Sequence, residues 1–183
     1  MSYDSNTITY AVSVHFSKDV NEIISATEKE IAEITGNDFM IQNKVPPHIT
    51  IGAFHGTREN ESRLLQSVED FTREQKSGIV QFKTIGNFNK KVLFLQPGKD
   101  EYLIKLNDEI HQLLLPEYEK GENGYYVPEV WFPHMTLAIH LNQGQYEKAL
   151  ACAQSITLPL NAKVSEISVY QCSPFLLLKS FAI

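Results

Sequence analysis

The sequence predicts an α+β fold with largely antiparallel sheets, and three observations lead to this prediction. Segments in which apolar and polar residues alternate, as in half-buried strands, are interspersed with segments whose apolar residues recur at the spacing of a helix face. The two kinds follow each other in a mixed order, without the regular strand–helix alternation of a parallel sheet. A short pattern also occurs twice, and its two histidines, His48 and His134, lie 86 residues apart in a chain of 183. A separation of nearly half the chain is expected of an internal duplication.

The N-terminal half begins with the clearest strand signal. From Thr7 to Phe16 apolar and polar residues alternate without a break, which is typical of a strand with one face in the core. Ser17 can cap the helix that follows, whose apolar residues recur at helical spacing as far as Ile34, and Gly36 can end it. The other elements expected in this half are a strand over 49–54, a helix from Thr57 to before Gly78, and strands over 79–88 and 91–96.

The C-terminal half repeats this mixture of elements. A helical stripe of leucine and isoleucine runs from Leu103 to Leu114 and ends before Pro116, and a polar loop then leads to Trp131. No low-complexity segment and no Pro/Gly/Ser-rich linker divides the chain, so we expect a single domain. The remaining expected elements are a strand over 134–140, a short helix over 146–153, and closing strands over 156–160, 164–171 and 175–181.

Composition narrows the classes of function. The formal net charge is −6 and the isoelectric point is near 5.5, so we expect no binding of long nucleic acids, which requires many Lys and Arg contacts to phosphates. A small phosphorylated ligand needs only a few local groups. No apolar run reaches the ~18 residues of a membrane span, and residues 1–9 contain no signal-peptide core. Because two cysteines make no disulfide framework, we expect a protein of the reducing cytoplasm. We also expect a monomer and no membrane partner.

The repeated pattern places histidine and threonine on one face of each of two strands. Residues 47–50 read Pro-His-Ile-Thr and residues 133–136 read Pro-His-Met-Thr, and each is followed by a hydrophobic and a small residue. Because side chains alternate between the two faces of a strand, the His and Thr of each copy share one face, opposite the apolar residues. An imidazole or hydroxyl buried in the core would need a polar partner. We therefore expect both pairs to line one shared groove.

Two imidazoles and two hydroxyls in one groove suit acid–base chemistry on a phosphate. A histidine with an ordinary pKa of ~6.5 exists in both protonation states near neutral pH. One of His48 and His134 can therefore take a proton from water or a ribose hydroxyl while the other gives one to the leaving oxygen. The hydroxyls of Thr50 and Thr136 can donate to the phosphoryl oxygens, where negative charge grows in the transition state. The symmetry of the two copies leaves open which histidine is the base.

The segments 48–50 and 134–136 resemble the signature of the two-histidine (2H) phosphoesterase superfamily, in its branch of 2′-5′ RNA ligase-like and cyclic phosphodiesterase proteins. The family pattern is two His-x-Thr/Ser motifs at a comparable separation, each followed by hydrophobic residues. Residues 133–138 are especially similar to the RNA ligase-like branch. That branch usually has a basic residue after its second motif, where this chain has Ile139.

The resemblance implies a bilobal α+β fold, with two pseudo-two-fold related lobes, helices outside and a central cleft that both motifs line. We expect one domain over 1–183, made of two intertwined lobes at approximately 1–97 and 98–183. The implied activity is cleavage of a 2′,3′-cyclic phosphate or a 2′-5′ phosphodiester in a nucleotide or RNA terminus, without a metal or other cofactor. RNA ligation by reversal of the same chemistry is also implied.

Two alternatives from other classes remain open. The chain could be a nucleotide- or RNA-end-binding protein that retains the cleft with little turnover, although both motifs are intact. It could instead be a metal-dependent hydrolase that uses His55 and His140, which follow the two motif histidines at similar distances. The other two histidines, His15 and His111, show no partner in the sequence, and we expect them at the surface.

Four further residues are candidates for substrate binding. Trp131, Tyr125 and Tyr126 stand shortly before the second motif, and an aromatic ring there could stack on a nucleobase, which is worth ~1–3 kcal/mol per base. Packing against the fold is the competing interpretation of these rings. Lys44 precedes the first motif and could add a positive charge for the phosphate.

Overall fold

The computed structural model describes residues 6–183, and there it confirms the α+β fold. Within this range the chain forms nine strands and five α-helices. The strands are β1 (Ile8–Phe16), β2 (Ile49–Gly56), β3 (Ile79–Phe82), β4 (Thr84–Phe88), β5 (Val92–Gln96), β6 (Glu119–Lys120), β7 (Met135–Ala138), β8 (Leu160–Cys172) and β9 (Phe175–Ala182). The helices are α1 (Lys18–Thr35), α2 (Phe39–Gln42), α3 (Glu61–Glu74), α4 (Glu101–Leu114) and α5 (Gln143–Ala153).

The strands form two antiparallel sheets, and each sheet contains one copy of the repeated pattern. The larger sheet has the order β3-β8-β1-β2-β6, and β9 pairs with the C-terminal part of β8 beyond the stretch that pairs with β3. The smaller sheet has the order β4-β5-β7. The first motif therefore enters the larger sheet on β2, and the second enters the smaller sheet on β7. Because they lie on different sheets, the two motifs can approach each other from opposite sides of one site.

Each sheet is covered by a pair of helices. Helices α3 and α4 contact each other, and α4 packs on β2 of the larger sheet. Helices α1 and α5 contact each other, and α1 packs on β7 of the smaller sheet. Strands and helices from both halves of the chain thus meet in each layer, and the fold has the antiparallel sheets and outer helices that were expected. The division of the chain near residue 97 stays a prediction.

Several element boundaries differ from those expected, and α2 and β6 were not expected; three of the differences have a clear physical cause. The stretch 79–88 is two strands, because it leaves β8 of one sheet after Phe82 and joins β5 of the other at Thr84. Helix α3 begins at Glu61, since the backbone N–H of Thr57 is taken by the side chain of Asn60 in a preceding turn. The strand expected over 156–160 is wrong: buried Ile156 lies in the turn after α5, where its N–H donates to Ala153.

Helix α1 ends at the glycine that the sequence predicts as its C-cap. Gly36 adopts φ +72°, the left-handed conformation that glycine tolerates, and its N–H donates to the carbonyl of Ala32. In residues 6–183 we find no helix of sufficient length and hydrophobicity to cross a membrane.

Candidate active site

The two motif strands bury their apolar residues and leave the polar ones accessible. Ile49 and Ile51 of β2 are fully buried, as are Met135 and, to within 1%, Leu137 of β7. The histidines and threonines between them are half-buried. Apolar side chains on one strand face and polar side chains on the other are what the alternating sequence predicts.

Both motif histidines are oriented by the same backbone contact. The Nδ1 atom of His48 lies 2.8 Å from the carbonyl oxygen of Pro46, and the Nδ1 atom of His134 lies 2.8 Å from the carbonyl oxygen of Phe132. Because a carbonyl can only accept, Nδ1 carries the proton in each neutral ring. Nε2 is then the nitrogen that exchanges a proton in both histidines. The duplication therefore extends from the sequence to the hydrogen bonding of the site.

A cavity of about 370 Å³ brings residues of both motifs together. His48 of the first motif and Thr136 of the second line it, although they come from different sheets. Thr50 of β2 and His134 are not among the residues that line the cavity, and the Oγ1 atom of Thr50 lies 3.3 Å from the hydroxyl of Ser13 on β1. The rest of the wall comes from Ile139, from residues 172–175 of the β8–β9 turn, and from α2 and the segment after it, namely Phe39, Met40, Asn43 and Val45.

The surroundings favour the neutral form of both histidines. Burial, the largest cause, and the positive charges of His15 and His134 together lower the pKa of His48 to about 4, against the raising effect of its hydrogen bond to Pro46. The pKa of His134 is lowered by burial, against the raising effect of its bond to Phe132. The electrostatic effect of His134 on His48 indicates that the two imidazoles are close in space. His48 is thus suited to accept a proton at neutral pH.

Aromatic side chains surround His134. The ring centre of His134 lies 5.1 Å from that of Phe88, 5.2 Å from that of Phe94 and 6.3 Å from that of Phe132. Phe94 is buried, whereas Phe88 and Phe132 are 39% and 41% exposed. These residues could not be identified from the sequence, because only Phe132 adjoins the motif, whereas Phe88 and Phe94 approach His134 through the pairing of β4, β5 and β7.

The expected surface positions of His15 and His111 are wrong. His15 is 5% exposed, with Nδ1 3.0 Å from the carbonyl oxygen of Pro47 and Nε2 3.1 Å from the hydroxyl of Tyr170. It is buried because the side chains of His48 and Tyr170 and the backbone at Pro47 pack around its ring. His111 is 2% exposed on α4, and its Nδ1 lies 2.7 Å from the carbonyl oxygen of Asn107.

His15 borders the first motif directly. Its ring centre is 6.0 Å from that of His48, and it binds the carbonyl next to the one that His48 binds. Two imidazoles therefore hold two successive peptide groups at the point where β2 begins. A shift of these peptide groups would move the ring of His48.

We expect His15→Ala to lower both stability and kcat, the latter by about tenfold because misplaced catalytic groups lose rate. The buried carbonyl of Pro47 would be left without a donor, which costs about 1–3 kcal/mol of unfolding free energy. His15→Asn retains an N–H at the position of Nδ1 and should recover most of both quantities. Urea unfolding and steady-state kinetics check this, and an Asn variant no better than Ala in kcat would contradict it.

The candidate substrate-binding residues divide into two groups. The indole N–H of Trp131 donates to the carbonyl of Thr50 at 3.0 Å, so this ring is tied to the first motif. Burial and the carboxylate of Glu122 raise the pKa of Tyr126 to about 12, against a hydrogen bond with Thr50. Tyr125 is 69% exposed, and exposed Lys44 lines a separate groove beside Pro46 and Pro47. The structure thus brings Trp131 and Tyr126 to the first motif, and none of the four candidates is among the residues that line the cavity.

Within residues 6–183, His, Cys, Asp and Glu side chains form no group of three or more that could hold a metal ion. His55 contacts the hydroxyl of Thr9 through Nδ1 at 3.1 Å, and the ring of His140 packs edge-on against Phe39 with centres 4.9 Å apart.

Comparison with known proteins gives a family and a fold. Residues 24–173 match the family model of the 2′-5′ RNA ligase superfamily. No curated protein matches the chain. The crystal structure of E. coli LigT complexed with 3′-AMP is similar to this chain with a TM-score of 0.63 and 14% identity, over 97% of this chain and 98% of that one.

Two other solved structures have the same fold. A crystal structure described as a phosphoesterase has a TM-score of 0.61 and 14% identity, over 96% of this chain and 98% of its own. Usb1 of Kluyveromyces marxianus has a TM-score of 0.50 and 11% identity, over 94% of this chain and 97% of its own. At these identities the similarity establishes the fold over nearly the whole chain.

Proposed function

Because the chain belongs to the 2′-5′ RNA ligase superfamily of 2H phosphoesterases, we propose that it hydrolyses a 2′,3′-cyclic phosphate or a 2′-5′ phosphodiester by metal-independent acid–base catalysis. The observation that carries this proposal is the matched orientation of the two motif histidines. Each donates from Nδ1 to the carbonyl two residues before it, and each immediately precedes a strand of a different sheet. Two preoriented imidazoles acting on one phosphate are what such a reaction requires.

The roles of the two histidines follow from their surroundings. His48, whose pKa is lowered to about 4, is neutral at pH 7 and takes a proton from the attacking water at Nε2. The water oxygen then bonds to phosphorus, and the bond from phosphorus to a ribose oxygen breaks. His134, in its protonated form, gives the proton on Nε2 to that leaving oxygen. The products are a phosphomonoester and a free hydroxyl, and the two histidines exchange protonation states.

The threonines act on the phosphate itself. The hydroxyl of Thr136 lines the cavity beside His48, and that of Thr50 lies on the same strand face as His48. Each can donate a hydrogen bond to a non-bridging phosphoryl oxygen, where charge increases in the transition state. Their contribution is electrostatic, and neither hydroxyl forms a covalent bond.

A small nucleotide is the ligand that we propose for this cavity. Structures of E. coli LigT hold 3′-AMP and, in another crystal, ATP, and this chain shares their fold. Its own cavity of about 370 Å³ is within the range of ~300–1,000 Å³ for small-molecule sites.

The test is hydrolysis of 2′,3′-cyclic nucleotides and 2′-5′-linked oligonucleotides in the presence of EDTA. We expect the wild type to turn over at least one of them and the double variant His48→Ala/His134→Ala to give only the background rate. Loss of the wild-type activity with EDTA and its return with added metal would favour the metal-dependent alternative. Nucleotide binding by calorimetry with no turnover across the panel would favour the binding-protein alternative.

A further inference from the structure

The cavity wall carries no fixed positive charge. Among the described residues that line it, none is a lysine or an arginine. The three arginines of the chain lie on or just before α3 and are engaged elsewhere. Arg58 binds Glu61, Arg63 binds Glu117, and Arg73 binds Glu69 and Asp70.

One nearby carboxylate, that of Glu122, acts on this wall. Cys172 lines the cavity, and burial together with the carboxylate of Glu122 raises the pKa of its thiol to about 12. The same carboxylate raises the pKa of Tyr126, beside Thr50. Glu122 therefore lies near enough to both groups to disfavour additional negative charge on a bound ligand.

Ile139 is one of the apolar residues of the cavity wall. It follows the second motif and lines the cavity with an apolar side chain. Its backbone carbonyl accepts a hydrogen bond from the Asn37 amide at 2.9 Å, which holds the chain at this point independently of the side chain. Phe39 and Phe175 add aromatic rings to the wall, and Asn43 adds one amide. Such a wall suits a nucleoside and offers a second phosphate no positively charged side chain among the described residues.

We infer that the cavity selects a mononucleotide whose only phosphate is the one that is cleaved, and discriminates against nucleotides or RNA ends that carry further phosphates. This inference rests on the proposed function for its choice of the reacting phosphate. The single charge of a cyclic phosphodiester is met by one protonated histidine and two threonine hydroxyls. Each further phosphate enters a cavity with no cation to receive it.

The experiment compares a 2′,3′-cyclic mononucleotide with the same compound bearing a 5′-phosphate, at about 50 and 200 mM salt. We expect kcat/KM to be about tenfold lower for the 5′-phosphorylated compound at the lower salt concentration, and the gap to narrow as salt screens the repulsion. Equal values, or faster turnover of the 5′-phosphorylated compound, would overturn the inference.

Two substitutions of Ile139 separate the effect of a positive charge at this position from the effect of polarity alone. Ile139→Arg should raise kcat/KM for the 5′-phosphorylated compound relative to the other by about tenfold at low salt, because a cation then faces the cavity. Ile139→Gln adds polarity without charge and should leave the ratio of the two substrates at its wild-type value. An equal change of this ratio in both variants would show that charge at residue 139 does not set the selection.

Binding separates this inference from the proposed function. Calorimetry with 3′-AMP and with adenosine 3′,5′-bisphosphate measures the same selection without turnover. Tighter binding of 3′-AMP, together with no hydrolysis of any substrate, would support the inference while refuting the hydrolase. Tighter binding of the bisphosphate would overturn the inference even if hydrolysis were observed.

Discussion

His134→Ala and His48→Ala are each expected to lower kcat by about 10²–10⁴-fold, the usual contribution of a positioned acid or base. In the proposed mechanism, removing His134 leaves the departing ribose oxygen without a proton donor, and removing His48 leaves the attacking water without a base. Because both act in the same transition state, the double variant should be slower than either single variant by much less than the product of the two effects. Rates with saturating substrate and EDTA measure this.

The matched control is His111→Ala. His111 is also a buried histidine whose Nδ1 contacts a backbone carbonyl, that of Asn107 at 2.7 Å, but it lies on α4 outside the cavity wall. Its loss should reduce the free energy of unfolding and leave kcat within about threefold of the wild type, the effect of a structural defect alone. If His111→Ala lowered kcat as much as His48→Ala, the losses would reflect damage to the fold. If neither motif variant changed kcat, the proposed site would be wrong.

What could be predicted from the sequence is what depends on local pattern. The alternation around Ile49 and Met135 gives the buried face of each motif strand, and therefore the face on which the histidines lie. Gly36 marks the end of α1 because a left-handed residue there is a local requirement. In both cases the deciding interactions are made within a few residues of the sequence.

What could not be predicted depends on contacts between distant segments. The alternation of β1 predicts His15 on the exposed face of the strand, yet the side chains of His48 and Tyr170 pack on its ring, and Tyr170 is 155 residues away in the sequence. The break at Lys83 is likewise not predictable from local sequence. It arises because residues 79–82 pair with β8 of one sheet and residues 84–88 pair with β5 of the other. Cavity residues such as Phe39 and Phe175 approach His48 only once the chain has folded.

The pH dependence of catalysis is expected to be shifted to the acid side. Burial lowers the pKa values of both His48, to about 4, and His134 from their usual 6.5. As pH rises above about 4, His48 becomes neutral and available as the base, so kcat/KM increases. As pH rises further through the lowered pKa of His134, the acid loses its proton, and kcat/KM falls by about tenfold per pH unit.

The maximum of kcat/KM should therefore lie below pH 6.5, between the two lowered pKa values. The profile of kcat should peak at a higher pH, because a bound phosphate anion raises the pKa of an adjacent imidazole. Initial rates from about pH 4 to 9 at constant ionic strength measure both profiles, since kcat/KM reports the free enzyme and kcat the complex. In His134→Ala the fall above the optimum should disappear from the residual activity, because the group that loses its proton there is absent. A kcat/KM that is flat between about pH 5 and 8 in the wild type would contradict catalysis by one neutral and one protonated histidine.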